Sequence, residues 1–239
     1  MSNNFNYISG SKRSLHVQVA REIARGILSG NLAQGSIIPG EIALCGQFGI
    51  SRTALREAIK LLTSKGLLES RPKIGTRVVE RSYWNFLDSQ LIEWMDGLTD
   101  VDKFCSQFLG LRQAIEPEAC ALATKNASAE QRIELSETFQ KMVEIADAEE
   151  FDQQGWTEID LKFHSLIFNS TANDFYLPFG NILATMFVNF IAHSSEEGST
   201  CIDEHRQIYE AIMAGNSEKA RQVSANHLIE EKHRLPLIA

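Results

Sequence analysis

Asp160 and His164 stand four residues apart in a stretch, 152–168, whose apolar spacing reads as a helix, so both side chains share one face. His205 falls near the start of a later helical stretch and His227 inside the last one. One carboxylate and three imidazoles form a donor set for a divalent cation, zinc first, with nickel or manganese admitted by geometry and supply. Spacing alone does not bring the four together, and an Asp–His pair at i, i+4 is also an ordinary surface pair. His16, His193 and His233 have no companion pattern. Arg112 has two readings. With Glu116 at i+4 it forms an exposed ion pair worth roughly 0.3–0.5 kcal/mol. Beside a metal, its planar fork would instead grip the carboxylate of a small effector. A 2-hydroxy acid would suit such a site, because its carboxylate and hydroxyl chelate together.

A second set of residues suits a polyanion. Ser51, Arg52, Thr53 and Arg56 open a helix that follows a Gly49-Ile50 turn. A helix N-terminus offers free N–H groups and partial positive charge to phosphate, and the two hydroxyls add donors. Arg52 and Arg56 share a face, and an arginine fork matches guanine O6 and N7 in the major groove. Arg71, Lys73 and Arg77 put positive charge on a following hairpin. A small helical domain with a solvated basic face is the plain alternative. The basic surplus and the hairpin favour DNA.

The elements that must position these residues follow from periodicity and caps. Helices are expected over 15–28, from Pro39-Gly40-Glu41 to Phe48, and from the Ser51 cap to about Lys65, ended by Gly66. Residues 67–70 and 76–79 read as strands joined by a tip at 71–75. This is a helix-turn-helix with a β-ribbon wing. From residue 83 onward the pattern is helical. The expected helices are 84–95, 101–123 with a kink at Pro117, 128–148 capped by Ser128, 152–168, one capped by Asn173 that carries Leu177, Ile182, Phe187 and Ile191, 201–213 and 217–233. A polar break separates the fifth and sixth at 194–198. The expected fold is mainly α, a winged helix-turn-helix followed by an antiparallel bundle of about seven helices. The expected domains are 1–80, a linker helix at 81–99, and 100–239.

Composition sharpens the division. The 239-residue chain carries 23 Lys+Arg and 31 Asp+Glu, a net charge of -8, and is 44% apolar, as expected of a globular protein. Residues 1–80 hold 11 basic and 5 acidic side chains, a net +6, while the remainder holds 12 and 26, a net -14. The basic part is the candidate for DNA, and the acidic part should repel it. No apolar run reaches the roughly 18 residues of a membrane span, and residues 1–10 show no signal-peptide core, so a cytoplasmic protein is expected. Cys45, Cys105, Cys120 and Cys201 form no CxxC pair and are expected reduced.

Pro39-Gly40-Glu41, Leu44, Phe48-Gly49-Ile50-Ser51-Arg52-Thr53, Leu55-Arg56-Glu57-Ala58-Ile59, Leu62, Gly66-Leu67-Leu68 and Gly75-Thr76 resemble the winged helix-turn-helix of GntR-type bacterial transcription regulators. The resemblance implies DNA contacts by Arg52 and Arg56 and a wing tip, with Gly75 and Thr76, that enters the minor groove. Two positions depart from the pattern. Ile42 stands where the family often has a DNA-contacting arginine, and Lys73 where the wing tip usually has glycine. Leu111-Arg112-Gln113-Ala114-Ile115-Glu116-Pro117, Asp160-Leu161-Lys162-Phe163-His164, Asn173, the run from His205 to Ile212, Gly215, Ala220 and His227-Leu228 resemble the FCD effector domain of the FadR branch, over about 100–235. In metal-binding members the ligands fall at positions matching Asp160, His164, His205 and His227, and an arginine matching Arg112 faces the ligand cavity. The fatty-acyl-CoA-responsive members lack this ligand set. Residues 81–88 and 92–94 are similar to the linker of galactonate-type sugar-acid regulators.

The function expected is a DNA-binding transcription regulator, a repressor, controlled by a small carboxylate bound at the metal. A homodimer is expected, because one recognition helix reads too few base pairs and two-fold readers use paired half-sites. The alternative is a metal-dependent hydrolase fused to a DNA-binding head. Against it, the cluster's Asp and His are all spent on ligation, and no spare general base sits in a recognised motif.

Overall fold

The computed structural model describes residues 15–98, 101–186 and 201–228. The chain divides into two units at Thr99/Asp100. Most of both is helical, and the two strands belong to the first. Phe187, Ile191, His193, the 194–198 break and residues 229–233 lie outside the described residues.

In the first unit, α1 (Leu15–Leu28), α2 (Glu41–Phe48) and α3 (Arg52–Ser64) surround Val19, Ile23, Leu44, Phe48, Leu55 and Leu62, all buried. Gly49 takes φ 67 and closes the turn between α2 and α3. Ser51 caps α3 by accepting a hydrogen bond from Ala54 N. The wing is β1 (Leu68–Arg71) antiparallel to β2 (Gly75–Val78), in register Leu68 to Val78. Its outer side is paired by a segment the sequence reading did not identify. Ile38 N donates to Thr76 O, Gly35 N to Val78 O and Val78 N to Ser36 O, each at 2.9 Å. Residues 35–38 therefore cover an edge that would otherwise be open.

The expected helix over 84–95 is shorter than its apolar spacing implied. A 3-10 turn spans Arg81–Tyr83, and α4 covers only Ser89–Met95. Asp88 sets the start, its side chain accepting from Leu91 N at 2.8 Å. Upstream, Trp84 Nε1 donates to Val79 O, which holds that indole against the wing rather than on a helix. Trp84, Leu91 and Trp94 belong to the core of the first unit. Lys65, at the end of α3, is buried, pairs with Asp88 at 2.6 Å and lies 5.2 Å from the Trp94 ring centroid. Next to it Gly66 takes φ +75, and a Cβ there would stand 2.2 Å from the Tyr83 carbonyl oxygen. Gly66→Ala is therefore expected to destabilise this unit by on the order of 2–4 kcal/mol. Thermal denaturation followed by circular dichroism checks it, and a melting temperature equal to the parent's would refute it.

The second unit holds α5 (Val101–Asn126), α6 (Ala129–Ala146), α7 (Gln153–Asn169), α8 (Leu177–Met186), α9 (Ile202–Met213) and α10 (Ser217–His227). α5 is one helix with Pro117 inside it, and it runs on to Asn126, three residues past its expected end. Ser128 and Gln131 form a reciprocal capping box on α6. The helix expected from the Asn173 cap begins at Leu177, because Asn173 Oδ1 accepts from Phe175 N in a turn instead. α5 lies along α10, and α6 along α7, around Met142, Phe163, Phe168, Ile212 and Val223. Arg132 ties the bundle ends by donating to the Ile212 and Thr124 carbonyls.

Candidate DNA interface and metal centre

Ser51, Arg52, Thr53 and Arg56 are exposed at the start of α3. The Ser51 hydroxyl oxygen is used as the cap acceptor, which leaves its O–H to donate. Arg56 is tied to α2. Its Nε donates to Glu41 Oε1 at 2.8 Å and its Nη2 to Oε2 at 3.2 Å, and this arginine lowers the Glu41 carboxyl below its usual range. Ile42 beside it is 77% exposed, so the departure from the family pattern places a bare apolar side chain on this surface. On the wing, Arg71, Lys73, Ile74 and Gly75 are exposed. Arg71 on β1 and Arg77 on β2 both pair with Glu69, which holds the two cations on one face of the wing. Thr76 Oγ1 lies 3.3 Å from Ser70 Oγ across the ladder. Lys73 takes φ 66, a left-handed conformation that explains why glycine is usual at this position.

In the second unit, helices far apart in sequence converge. Asp160 and His164 come from α7, His205 from α9 and His227 from α10, and all four are buried. His164, His205 and His227 each offer a ring nitrogen, and these atoms lie within 4.8 Å of one another. Asp160 Oδ1 is 2.8 Å from His205 Nε2 and 3.7 Å from His164 Nε2. The aspartate's closer imidazole is thus on another helix, not its i+4 neighbour. Phe163 packs edge-on against the His164 and His205 rings, and Trp156 against His205. The four donors therefore stand in a buried site flanked by Phe163 and Trp156.

Electrostatics follow from that burial. Desolvation alone would raise the Asp160 pKa, but contact with His205 and the nearby charges of His205, His164 and Arg112 hold it at about 2. Burial likewise opposes a charged His205, yet the Asp160 contact raises its pKa above the ordinary imidazole value. His205 Nδ1 lies 2.9 Å from the Cys201 carbonyl oxygen, which can only accept. Nδ1 therefore carries a proton, and Nε2 faces Asp160.

Two buried atoms test the site for a cation. Asp160 Oδ1 and His205 Nε2 are sealed from solvent and make no hydrogen bond of good geometry, although they lie 2.8 Å apart. An orphaned carboxylate oxygen facing an imidazole nitrogen is costly in a dry interior, and a divalent cation would satisfy both. Nitrogen and oxygen donors of this kind fit zinc, nickel or manganese.

The expected Arg112–Glu116 pair forms, but not at the surface. Arg112 is buried on α5 and pairs with Glu116, Nε to Oε1 at 2.5 Å and Nη2 to Oε2 at 3.4 Å. Glu116 is the residue the sequence reading undervalued. Its Oε2 is 3.4 Å from His164 Nδ1. Burial would raise the Glu116 pKa, but Arg112 and His164 bring it down to about 2. The i+4 spacing to Arg112 was visible in the sequence, while the contact to α7 was not.

Comparison with known proteins gives this geometry its context. Residues 15–78 match the bacterial regulatory proteins of the gntR family, and residues 107–230 match the FCD domain. The chain belongs to the GntR family. It is 35% identical over 210 residues to the uncharacterized HTH-type transcriptional regulator YieP of Escherichia coli, covering 88% of this chain and 90% of that one. It is 22% identical over 217 residues to the galactonate operon transcriptional repressor of Escherichia coli, with 89% and 93% covered. The Listeria monocytogenes regulator Lar, which controls expression of the agr system, shares the fold at a TM-score of 0.63 and 19% identity, with 96% and 100% covered. This GntR-family protein is therefore a transcription regulator with an FCD domain, and its relatives lend no support to the hydrolase alternative. No helix among the described residues is long and apolar enough to cross a membrane.

Proposed function

We propose that this regulator is a cytoplasmic, homodimeric repressor whose hold on operator DNA is released by a small carboxylate, a sugar acid or hydroxy acid, bound at a divalent metal. The buried convergence of Asp160, His164, His205 and His227 carries the reading. These four residues would hold the metal, which supplies a Lewis-acidic position for the effector's carboxylate and hydroxyl. Arg112 would share its guanidinium between Glu116 and that carboxylate. Similarity to the galactonate operon repressor supports a sugar acid as the effector class. Ser51, Arg52, Thr53 and Arg56 on α3, with Arg71, Lys73, Gly75 and Thr76 on the wing, would form the DNA surface of each protomer. Two such heads would hold two half-sites of a pseudo-palindrome. The effector acts only if it binds one arrangement of the dimer better than the other.

A thermal-shift screen of metal-loaded protein against sugar acids and hydroxy acids tests the effector site. A ligand of the folded state raises the melting temperature with concentration. At least one acid is expected to do so, and to lose the effect after chelation of the metal. An acid that stabilises the chelated protein equally would place the effector elsewhere.

A further inference from the structure

We infer that Glu116 is a positioning residue for His164, held in place by Arg112, and that this chain sets the imidazole for the cation. The inference rests on the metal-site reading above. Arg112 and Glu116 lie one turn apart on α5, and both are buried. Their pairing leaves Glu116 Oε2 3.4 Å from His164 Nδ1, on the side of the ring opposite Nε2. A carboxylate within reach of one imidazole nitrogen fixes a proton there and directs the lone pair of the other nitrogen to a metal. Just before α9, the Cys201 carbonyl does the same for His205 at 2.9 Å. Two ligands on two helices thus have acceptors behind them, one neutral and one anionic.

The anionic one has a distinct consequence. A buried carboxylate is costly without a partner. Arg112 supplies one, with Nε 2.5 Å from Glu116 Oε1 and Nη2 3.4 Å from Oε2, and the same carboxylate meets His164 Nδ1. Arg112 therefore reaches the metal through Glu116 and His164, and α5 is coupled to α7 without itself supplying a ligand.

Zinc affinity, measured by competition with a chromophoric chelator, tests this in the 239-residue chain and in E116Q, H164A and H164A/E116Q. Loss of such a supporting contact typically weakens metal binding by about 10–100-fold. E116Q is expected to weaken zinc by that factor in the parent and by less than about twofold in the H164A background, since residues acting through one another are non-additive. The same fold-loss in both backgrounds, or parent-like affinity in E116Q, overturns the inference.

A metal-free readout is independent of zinc. Imidazole 15N shifts are expected to show His164 as a single Nδ1–H tautomer in the parent. They should show a mixture in R112M/E116L, where two neutral side chains of similar volume replace the buried pair without leaving a lone charge. An unchanged tautomer in that variant also overturns it. A parent that binds no zinc but shows the tautomer change would sink the metal reading and keep the Glu116–His164 contact.

Discussion

His205→Ala is expected to cost the protein its metal at micromolar supply. Sharing about 10–16 kcal/mol of site affinity among four ligands gives roughly 3 kcal/mol for each, about a hundredfold in the dissociation constant. The loss should exceed that share, because His205 is also the nearest partner of Asp160, at 2.8 Å, and its removal leaves a buried carboxylate that favours protonation over ligation. Elemental analysis after dialysis against limiting zinc checks the outcome, and a metal content equal to the parent's would refute it.

The pH dependence has a definite sign. In the metal-free protein, the depressed pKa values of Asp160 and Glu116, both about 2, give stability that is present above the ordinary carboxylate range and lost as pH falls toward 2. The raised pKa of His205 gives stability that is full below the ordinary imidazole value and lost as pH rises through the raised one. Metal needs the neutral imidazole, so it binds more weakly as pH falls, most steeply from the raised His205 value downward. Metal loading should therefore stabilise the protein most at neutral and higher pH.

Arg52→Ala and Arg56→Ala are each expected to cost roughly 1–3 kcal/mol of specific DNA affinity, a factor of about 5 to 150, if each reads a base. The structure separates the two. Arg52 is exposed on the first turn of α3, whereas Arg56 is braced by Glu41 through Nε and Nη2. The brace fixes the direction of the fork, so Glu41→Gln should weaken DNA binding in the same direction as Arg56→Ala but by less. Affinity in all variants should fall with salt as phosphate contacts release counterions. Fluorescence anisotropy on a duplex selected from a random pool measures these effects, and unchanged affinity in both arginine variants would contradict the assignment of this surface.

The head was largely legible because its signals are local. Ser51 caps α3, Gly49 turns the chain in the left-handed region, and Leu55 and Leu62 face the core as their spacing required. The third edge of the wing was not legible, since residues 35–38 pair with β2 across some forty positions and carry no alternation of their own. The start of α4 was missed because Trp84 and Phe86 fit a helical stripe, yet the Asp88 cap and the Trp84 bond to Val79 decided otherwise. In the second unit, the residue types of the cluster could be chosen from sequence, but not their partners. The i+4 rule pointed from Asp160 to His164, while packing of α7 against α9 gave Asp160 its shorter contact with His205. Glu116 looked like a surface residue because its helix spacing says nothing of the burial that α10 and α7 impose on α5.

The central claim is that an acid bound at the metal controls the grip on DNA. Its most direct test is anisotropy of a selected pseudo-palindromic duplex with metal-loaded protein, titrated with a panel of sugar acids and hydroxy acids and repeated with H164A. At least one acid should lower the parent's DNA affinity in a saturable way, and the same acid should leave H164A unmoved on the same duplex. If no acid changes DNA affinity, or if the acid acts equally on H164A, the metal pocket does not govern this regulator.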